Sequence, residues 1–123
     1  MGKKNRSAGP PELRPRFRIT NGSTIAFGPG KADLLERIAE TGSIGAGAAR
    51  LGMSYMRAWS LIQTMNASFK QPVIESARGG HEHGGAVLTT TGCRVLALYR
   101  QMEQAALNAT RTDWHTLQKL LRG

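Results

Sequence analysis

The chain has 123 residues, and its 17 Lys and Arg against 8 Asp and Glu give a formal net charge of +9. This length suits one domain with a buried core and argues against two domains. No apolar run approaches the roughly 20 residues that cross a bilayer, and no signal peptide is recognisable, so we expect a cytoplasmic protein without membrane contact. The charge predicts an anionic partner, with nucleic acid the leading candidate.

The N-terminal part divides into an arm and a hairpin. Residues 1–15 are predicted to form a disordered basic arm, because they contain prolines and basic side chains such as Lys3 and Arg6 but little that packs. From Arg16 to Phe27, apolar and polar residues alternate on both sides of Asn21-Gly22. Since Asn and Gly accept the positive φ of tight turns, this pattern predicts two short strands joined there.

Periodicity predicts two helices after the hairpin. A sharp turn then joins the second of them to a third helix. Helical spacing predicts one helix from Lys31 to the break at Gly42 and a short one over residues 44–51. Ser43 is the expected N-cap of the short helix, and Gly52 is expected to end it in the left-handed conformation. Its small residues, Ala48 and Ala49, are expected to pack on the next helix, with Leu51 and Met53 buried beside Gly52.

The third predicted helix spans residues 54–69, with Ser54 as its cap and one buried stripe. A glycine-rich loop over residues 77–85 then joins two short strands, 73–76 and 86–88. Thr89 to Thr91 are expected to cap a long final helix, whose apolar residues cover more than one face and therefore suggest dimerisation. Residues 110–123 are expected to form a short amphipathic tail helix.

This order of elements is that of a winged helix-turn-helix. We therefore predict a mainly α fold with small β-hairpins, in which residues 16–109 form a DNA-binding domain with a C-terminal dimerisation helix. The third helix would be the recognition helix and residues 77–85 the wing.

Spaced motifs along residues 17 to 107 make the prediction more specific. They are Thr41-Gly42-Ser43-Ile44, the run from Ala48 to Tyr55, Ala58-Trp59, Met65-Asn66, Pro72 to Glu75, Gly79-Gly80, Gly84 to Ala86, Leu88-Thr89, Gly92, and Leu96 to Tyr99. These motifs resemble the N-terminal DNA-binding domain of ModE-type molybdate-responsive regulators and, more loosely, the winged helix of LysR-type regulators.

The resemblance implies a homodimeric transcriptional regulator of the bacterial nucleoid that places its third helix in the major groove of promoter DNA. Full-length members of the family carry C-terminal domains that bind molybdate or tungstate. A chain of 123 residues has no room for them, so we expect no molybdate site of its own and no cofactor.

The expected DNA contacts lie on the second and third helices and on the wing. Arg57 and Gln63 are the best candidates for hydrogen bonds to bases, and Ser43 is a candidate phosphate contact at the start of its helix. Arg78 and the wing glycines would approach the minor groove or the sugar-phosphate chain. The full set is Ser43, Ser54, Tyr55, Met56, Arg57, Ser60, Gln63, Arg78, Gly79, Gly80 and His81.

Two other functions stay open. His81 and His83 are weak candidates for metal ligands, so a regulator that responds to copper or another metal is one alternative, although two ligands are too few for a tight site. A nonspecific nucleic-acid-binding protein is the other. An enzyme is not expected, because the chain has no recognisable catalytic triad, phosphate loop or paired carboxylates.

Two side chains are ambiguous at this stage. Trp59 is expected to pack beside the core, with a place near the DNA groove as the alternative. Cys93 is the single cysteine, which fits a reducing compartment. It is expected to be a buried small residue, with a reactive thiol in the first turn of the last helix as the alternative.

Overall fold

The computed structural model describes residues 9–77 and 85–123. Its elements in chain order are β1 (Ile19–Asn21), β2 (Thr24–Phe27), α1 (Pro29–Thr41), α2 (Ile44–Arg50), α3 (Tyr55–Ser68), β3 (Ile74–Ala77), β4 (Gly85–Leu88), α4 (Thr90–Ala109) and α5 (Arg111–Gln118). This is the mainly α winged helix-turn-helix that the sequence predicts. Across the described ranges, no helix is both long enough and apolar enough to cross a membrane.

The N-terminal hairpin forms as expected, but its turn lies one residue later than predicted. Asn21 ends β1 and pairs with Thr24, so Gly22 and Ser23 form the turn. Gly22 has a φ of 67°, and no residue other than glycine has a positive φ among those described. A two-residue turn with positive φ at its first central position alone takes glycine there, which leaves Asn21 free to stay in the strand.

The helix ends follow local capping rules. Helix α1 begins at Pro29, two residues before the expected start, because the fixed φ of proline suits the first turn. Gly42, at φ 79°, ends it and donates its N–H to the carbonyl of Ile38 at 2.7 Å. Thr89 caps α4 by accepting the N–H of Gly92 at 2.9 Å, as predicted.

The core lies where β2, α1, α3 and α4 meet. Its largest fully buried side chains are Tyr99, Phe27, Leu34, Leu35, Ile38, Ile62, Met65 and Val73. The ring of Tyr99 packs edge-on against Phe27, with centroids 5.1 Å apart. Its Oη donates to the carbonyl of Phe17 at 2.7 Å, so α4 holds the segment that precedes β1.

The wing strands and the start of α4 touch backbone to backbone. Strands β3 and β4 pair antiparallel, with Ile74 opposite Leu88. A Cβ added at Gly92 would lie 2.1 Å from the carbonyl oxygen of Val73, so any side chain there would push α4 away from the wing. Burial of Gly92 places the neighbouring Cys93 on the exposed side. The expectation that Cys93 is buried is therefore wrong.

An arginine on α4 ties this helix to α1. Arg100 contacts Asp33 at 2.9 Å and Glu36 at 2.8 Å, both on α1, and Glu103 at 2.9 Å on its own helix. The hydrogen bond from Arg100 lowers the pKa of Glu36, and the same bond raises the pKa of Arg100. The charged form of each group is therefore favoured by its partners.

Candidate nucleic-acid interface

Local hydrogen bonds cap α2 and close the turn between α2 and α3. Ser43 Oγ accepts the N–H of Ala46 at 3.0 Å at the start of α2. The carbonyl of Ala48 accepts the N–H of Met53 at 3.0 Å across the turn, where Gly52 has a φ of 68°. These features confirm the predicted turn, and they present the first residues of α3 to solvent.

The close packing of α2 depends on a glycine that the sequence did not single out. A Cβ at Gly47 would lie 2.9 Å from Ile38 Cγ1 on α1. Gly47 and Ala48 are buried, whereas Ala49 is exposed, so the prediction that Ala49 packs on the recognition helix is wrong. A seven-residue helix that packs on α1 buries one side only, and Ala49 falls on the other.

Helix α3 has a buried face of small and apolar side chains. Ala58, Ile62 and Met65 are buried, as predicted. Phe69 follows the last helical residue and lies edge-on to Phe27, with centroids 6.1 Å apart. The flanking Leu51 and Met53 are only partly buried against the core. The inward face thereby fixes which side chains of α3 point outward.

We call the outward line of α3 the crest, formed by Met56, Ser60 and Gln63. At about 100° per residue these three lie opposite the buried stripe, and all are exposed, Met56 at 68%. Ser54 precedes them and accepts the N–H of Arg57 at 3.1 Å, so its side chain serves as the cap. Three of the predicted contacts therefore form one continuous surface.

The flank of α3 that faces the wing carries Tyr55 and Trp59. A cleft of about 340 Å³ separates this flank from the wing strands, where Glu75 and Ser76 line it. Trp59 is 43% exposed, so the expectation that it packs beside the core is wrong, and a place near the DNA groove stays a prediction. Its position one turn after Tyr55 puts it beside the buried stripe rather than within it.

The opposite flank of α3 carries Arg57. It lines a second cleft, of about 360 Å³, together with Arg16, Arg18 and Lys31. We call this the basic cleft. Lys31 Nζ donates to the carbonyl of Ile25, and partial burial lowers the pKa of Lys31. Arg57 is therefore separated from the crest residue Gln63, with which the sequence grouped it.

An asparagine near the end of α3 fixes the wing. Asn66 Oδ1 accepts the N–H groups of Val73 at 2.8 Å and Ile74 at 3.3 Å, and Asn66 Nδ2 donates to the carbonyl of Ile74 at 3.2 Å. Residue 66 belongs to a motif of the resemblance, but no local pattern revealed this role. The wing thereby keeps a set position beside α3.

The tip of the wing lies outside the described residues. This applies to the predicted DNA contacts Arg78, Gly79, Gly80 and His81 and to the candidate metal ligand His83. In the part of the chain that the structure describes, no three His, Cys, Asp or Glu side chains are grouped to hold a metal ion.

Comparison with known proteins gives relatives whose names refer to molybdenum-pterin binding or to transcriptional regulation. No family model matches the sequence. The chain is 43% identical over 77 residues to "Molybdenum-pterin-binding protein MopB" of Rhodobacter capsulatus, a match covering 63% of this chain and 28% of that protein. It is 41% identical over 88 residues to "DNA-binding transcriptional dual regulator ModE" of Escherichia coli K12, covering 69% and 34%.

A third relative extends the match. "Transcriptional regulator ModE" of Yersinia pestis is 38% identical over 96 residues, which are 76% of this chain and 36% of that protein. These names describe regulators and binding proteins rather than enzymes. The chain spans about a third of the length of these relatives. The predicted resemblance is thus confirmed: up to 76% of this chain is similar to about a third of proteins named ModE.

Proposed function

We propose that this domain binds specific sites in double-stranded DNA as a homodimer and thereby regulates transcription. The observation that carries the proposal is the crest of α3, where Met56, Ser60 and Gln63 are all exposed and Gln63 also lines the cleft beside the wing. A helix that presents polar and apolar side chains beyond a capped start fits the major groove, where base edges differ in donors, acceptors and methyl groups.

The other predicted contacts surround the crest in this proposal. Ser54 and Ser43 cap helices whose first turns would face the phosphates, and Tyr55 and Arg57 lie on the two flanks of α3. The wing residues 78–81 would follow the adjacent sugar-phosphate chain. The names of the ModE relatives support the assignment to transcription.

Exposed apolar side chains on α4 and α5 support the homodimer. Leu98 and Met102 lie one turn apart on α4, and each is more than two-fifths exposed. Leu120, just beyond α5, is 81% exposed. Exposed apolar side chains on adjacent helical turns, such as Leu98 and Met102, are unfavourable in water and favour association. A two-fold dimer through these helices would place two α3 helices on half-sites about 34–36 Å apart.

The test of DNA binding is footprinting on the region upstream of the gene at physiological salt, with random duplex as competitor. We expect a protected site whose affinity exceeds that of random DNA at least about a thousandfold. Equal affinity for both would leave a nonspecific nucleic-acid-binding protein instead. We expect no change in affinity on addition of molybdate, tungstate or copper. A change with copper would support the metal-responsive alternative.

The test of the dimer is light scattering after gel filtration of the wild type, Met102→Glu and Val87→Glu. Met102 lies on the proposed interface, whereas Val87 is a similarly exposed apolar residue on the wing strand β4. We expect twice the chain mass for the wild type and Val87→Glu, and the chain mass for Met102→Glu. A dimer that survives Met102→Glu and fails with Val87→Glu would place the interface on the wing.

A further inference from the structure

The basic cleft is formed by parts of the chain that are distant in sequence. Arg16 and Arg18 precede β1, Lys31 lies in the first turn of α1, and Arg57 lies on the flank of α3. None of the four has a carboxylate within ion-pair distance among the described residues. Four cations that line a cleft of about 360 Å³ without a directly paired carboxylate give it a positive potential that favours an anion.

The cleft is built on anchored backbone rather than on loose side chains. Phe17 and Ile19 pack against the core, while Arg16 and Arg18 alternate with them on the exposed side. The carbonyl of Phe17 accepts the hydrogen bond from Tyr99, a buried residue of α4. The backbone that carries Arg16 and Arg18 is therefore held in place beside the start of α1.

The first turn of α1 adds to the positive potential. Its N-cap is Gly28, which supplies no side-chain hydrogen bond, and the first turn contains no acidic residue. The free N–H groups at a helix start carry partial positive charge. This end of α1 lines the same cleft as the four cations.

The width of the major groove indicates where the basic cleft would lie when α3 enters the groove. A helix with its side chains is about 10–12 Å across, and the major groove is about 12 Å wide. When the crest faces the bases, the flanks of α3 therefore face the two phosphate chains. Arg57 lies about 90° from the crest, as its place in the helical repeat requires, and the basic cleft continues from it.

We propose that the basic cleft seats the phosphate backbone of DNA on one side of α3, and that Arg57 contacts phosphate rather than bases. This inference rests on the proposed DNA-binding function and deepens it. The ligand is a phosphodiester chain, and its recognition is independent of base sequence. The hairpin and the start of α1 thereby become part of the interface.

The experiment compares the full-length wild type with Arg16→Ala/Arg18→Ala and Arg57→Ala on the footprinted site and on random duplex. The matched control is Lys119→Ala/Arg122→Ala, which removes the same charge beyond α5. Thermal melting checks that each variant is folded. Affinities are measured by fluorescence anisotropy from about 50 to 200 mM salt.

Each lost phosphate contact lowers the slope of log affinity against log salt by about 0.9. For Arg16→Ala/Arg18→Ala, the loss of affinity across this salt range should be about tenfold smaller than for the wild type. Arg57→Ala should lower the affinities for both duplexes by the same factor and leave the ratio of the two affinities unchanged. The control should match the wild-type slope.

Three results would overturn the inference. The first is a salt slope of DNA binding in Arg16→Ala/Arg18→Ala that equals the wild-type slope. The second is a loss of affinity in Arg57→Ala for the specific site alone. The third is saturable binding of inorganic phosphate by the wild type with no change of DNA slope in the variants, which would indicate a free-ion site. If the wild type itself does not prefer its site, the proposed function fails instead.

Discussion

The contact between α1 and α4 and the basic cleft both contain arginines, but their partners differ. Arg100 is surrounded by three carboxylates of its own chain, from Asp33, Glu36 and Glu103. Arg16, Arg18 and Arg57 have no carboxylate partner within the described residues. Among the described residues, Arg100 is thus balanced by carboxylates of its own chain, and we propose that phosphates of DNA balance the arginines of the basic cleft.

A similar contrast holds for packing. On the scaffold side, Gly92 packs closely against the backbone of Val73, and Tyr99 Oη donates to the carbonyl of Phe17. On the interface side, the crest of α3 and the arginines of the basic cleft are exposed to solvent. Changes to the scaffold should therefore alter stability, and changes to the interface should alter DNA binding with little effect on stability.

The largest effect on the scaffold is expected for Gly92→Ala. The new Cβ would lie 2.1 Å from the carbonyl oxygen of Val73, so α4 and β3 must separate. We expect a loss of about 3 kcal/mol in the free energy of unfolding, measured by urea denaturation. Gly30→Ala is the control, because a Cβ there meets nothing within 4 Å and its φ is not positive. Equal stability of Gly92→Ala and the wild type would contradict the close contact.

Arg100→Met is expected to have the next largest effect. Methionine keeps most of the packing of the stem but leaves three carboxylates together without their cation. Because the side chain is about a third exposed, we expect a loss of about 2 kcal/mol rather than the larger cost of a fully buried pair. The salt slope of DNA binding should not change. Arg94→Met, an exposed position on the same helix, should leave stability unaltered.

A smaller effect is expected from pH. The pKa of Glu36 is lowered from 4.5 in the folded protein, first by the hydrogen bond from Arg100. A lowered folded pKa stabilises the fold above the unfolded pKa, and this contribution is lost as pH falls through the folded value. Thermal melts should therefore show the wild type losing stability below about pH 4.5. This loss should be smaller in Arg100→Met, and parallel pH profiles would argue against the pair.

Local features of the fold were predictable from the sequence. The caps Ser43, Ser54 and Thr89 act within three residues of themselves, and Gly52 acts within one turn, so their roles follow from short-range rules. The buried stripe of α3 follows from helical periodicity in the same way. The winged helix-turn-helix order was therefore recognisable before any tertiary contact was known.

Contacts between distant residues were not predictable in this way. Tyr99 meets Phe17, and Arg100 meets Asp33, across more than sixty positions of sequence. The partner of each group depends on how α4 packs in the fold. The local pattern of one sequence does not determine this packing. The errors on Trp59 and Cys93 have a related cause, since each lies at the border of a buried helix face where packing decides exposure.

The different surroundings of Arg57 and of the crest on α3 also depend on tertiary structure. Helical spacing groups Arg57 and Gln63 as base contacts, but the segment before β1 and the start of α1 give Arg57 three basic neighbours. The residues of the crest have none of these neighbours around them. The proposal that the crest reads bases while the basic cleft binds phosphates therefore depends on the folded chain.

In the proposed function, the crest of α3 reads base sequence in DNA. The most direct measurement is the ratio of affinities for the footprinted site and random duplex, determined for the wild type and for Gln63→Ala at one salt concentration. We expect Gln63→Ala to lose about 1–3 kcal/mol of binding free energy on the specific site and much less on random DNA, so that the ratio of affinities falls while the salt slope stays the same. An unchanged ratio, with equal losses on both duplexes, would contradict this expectation.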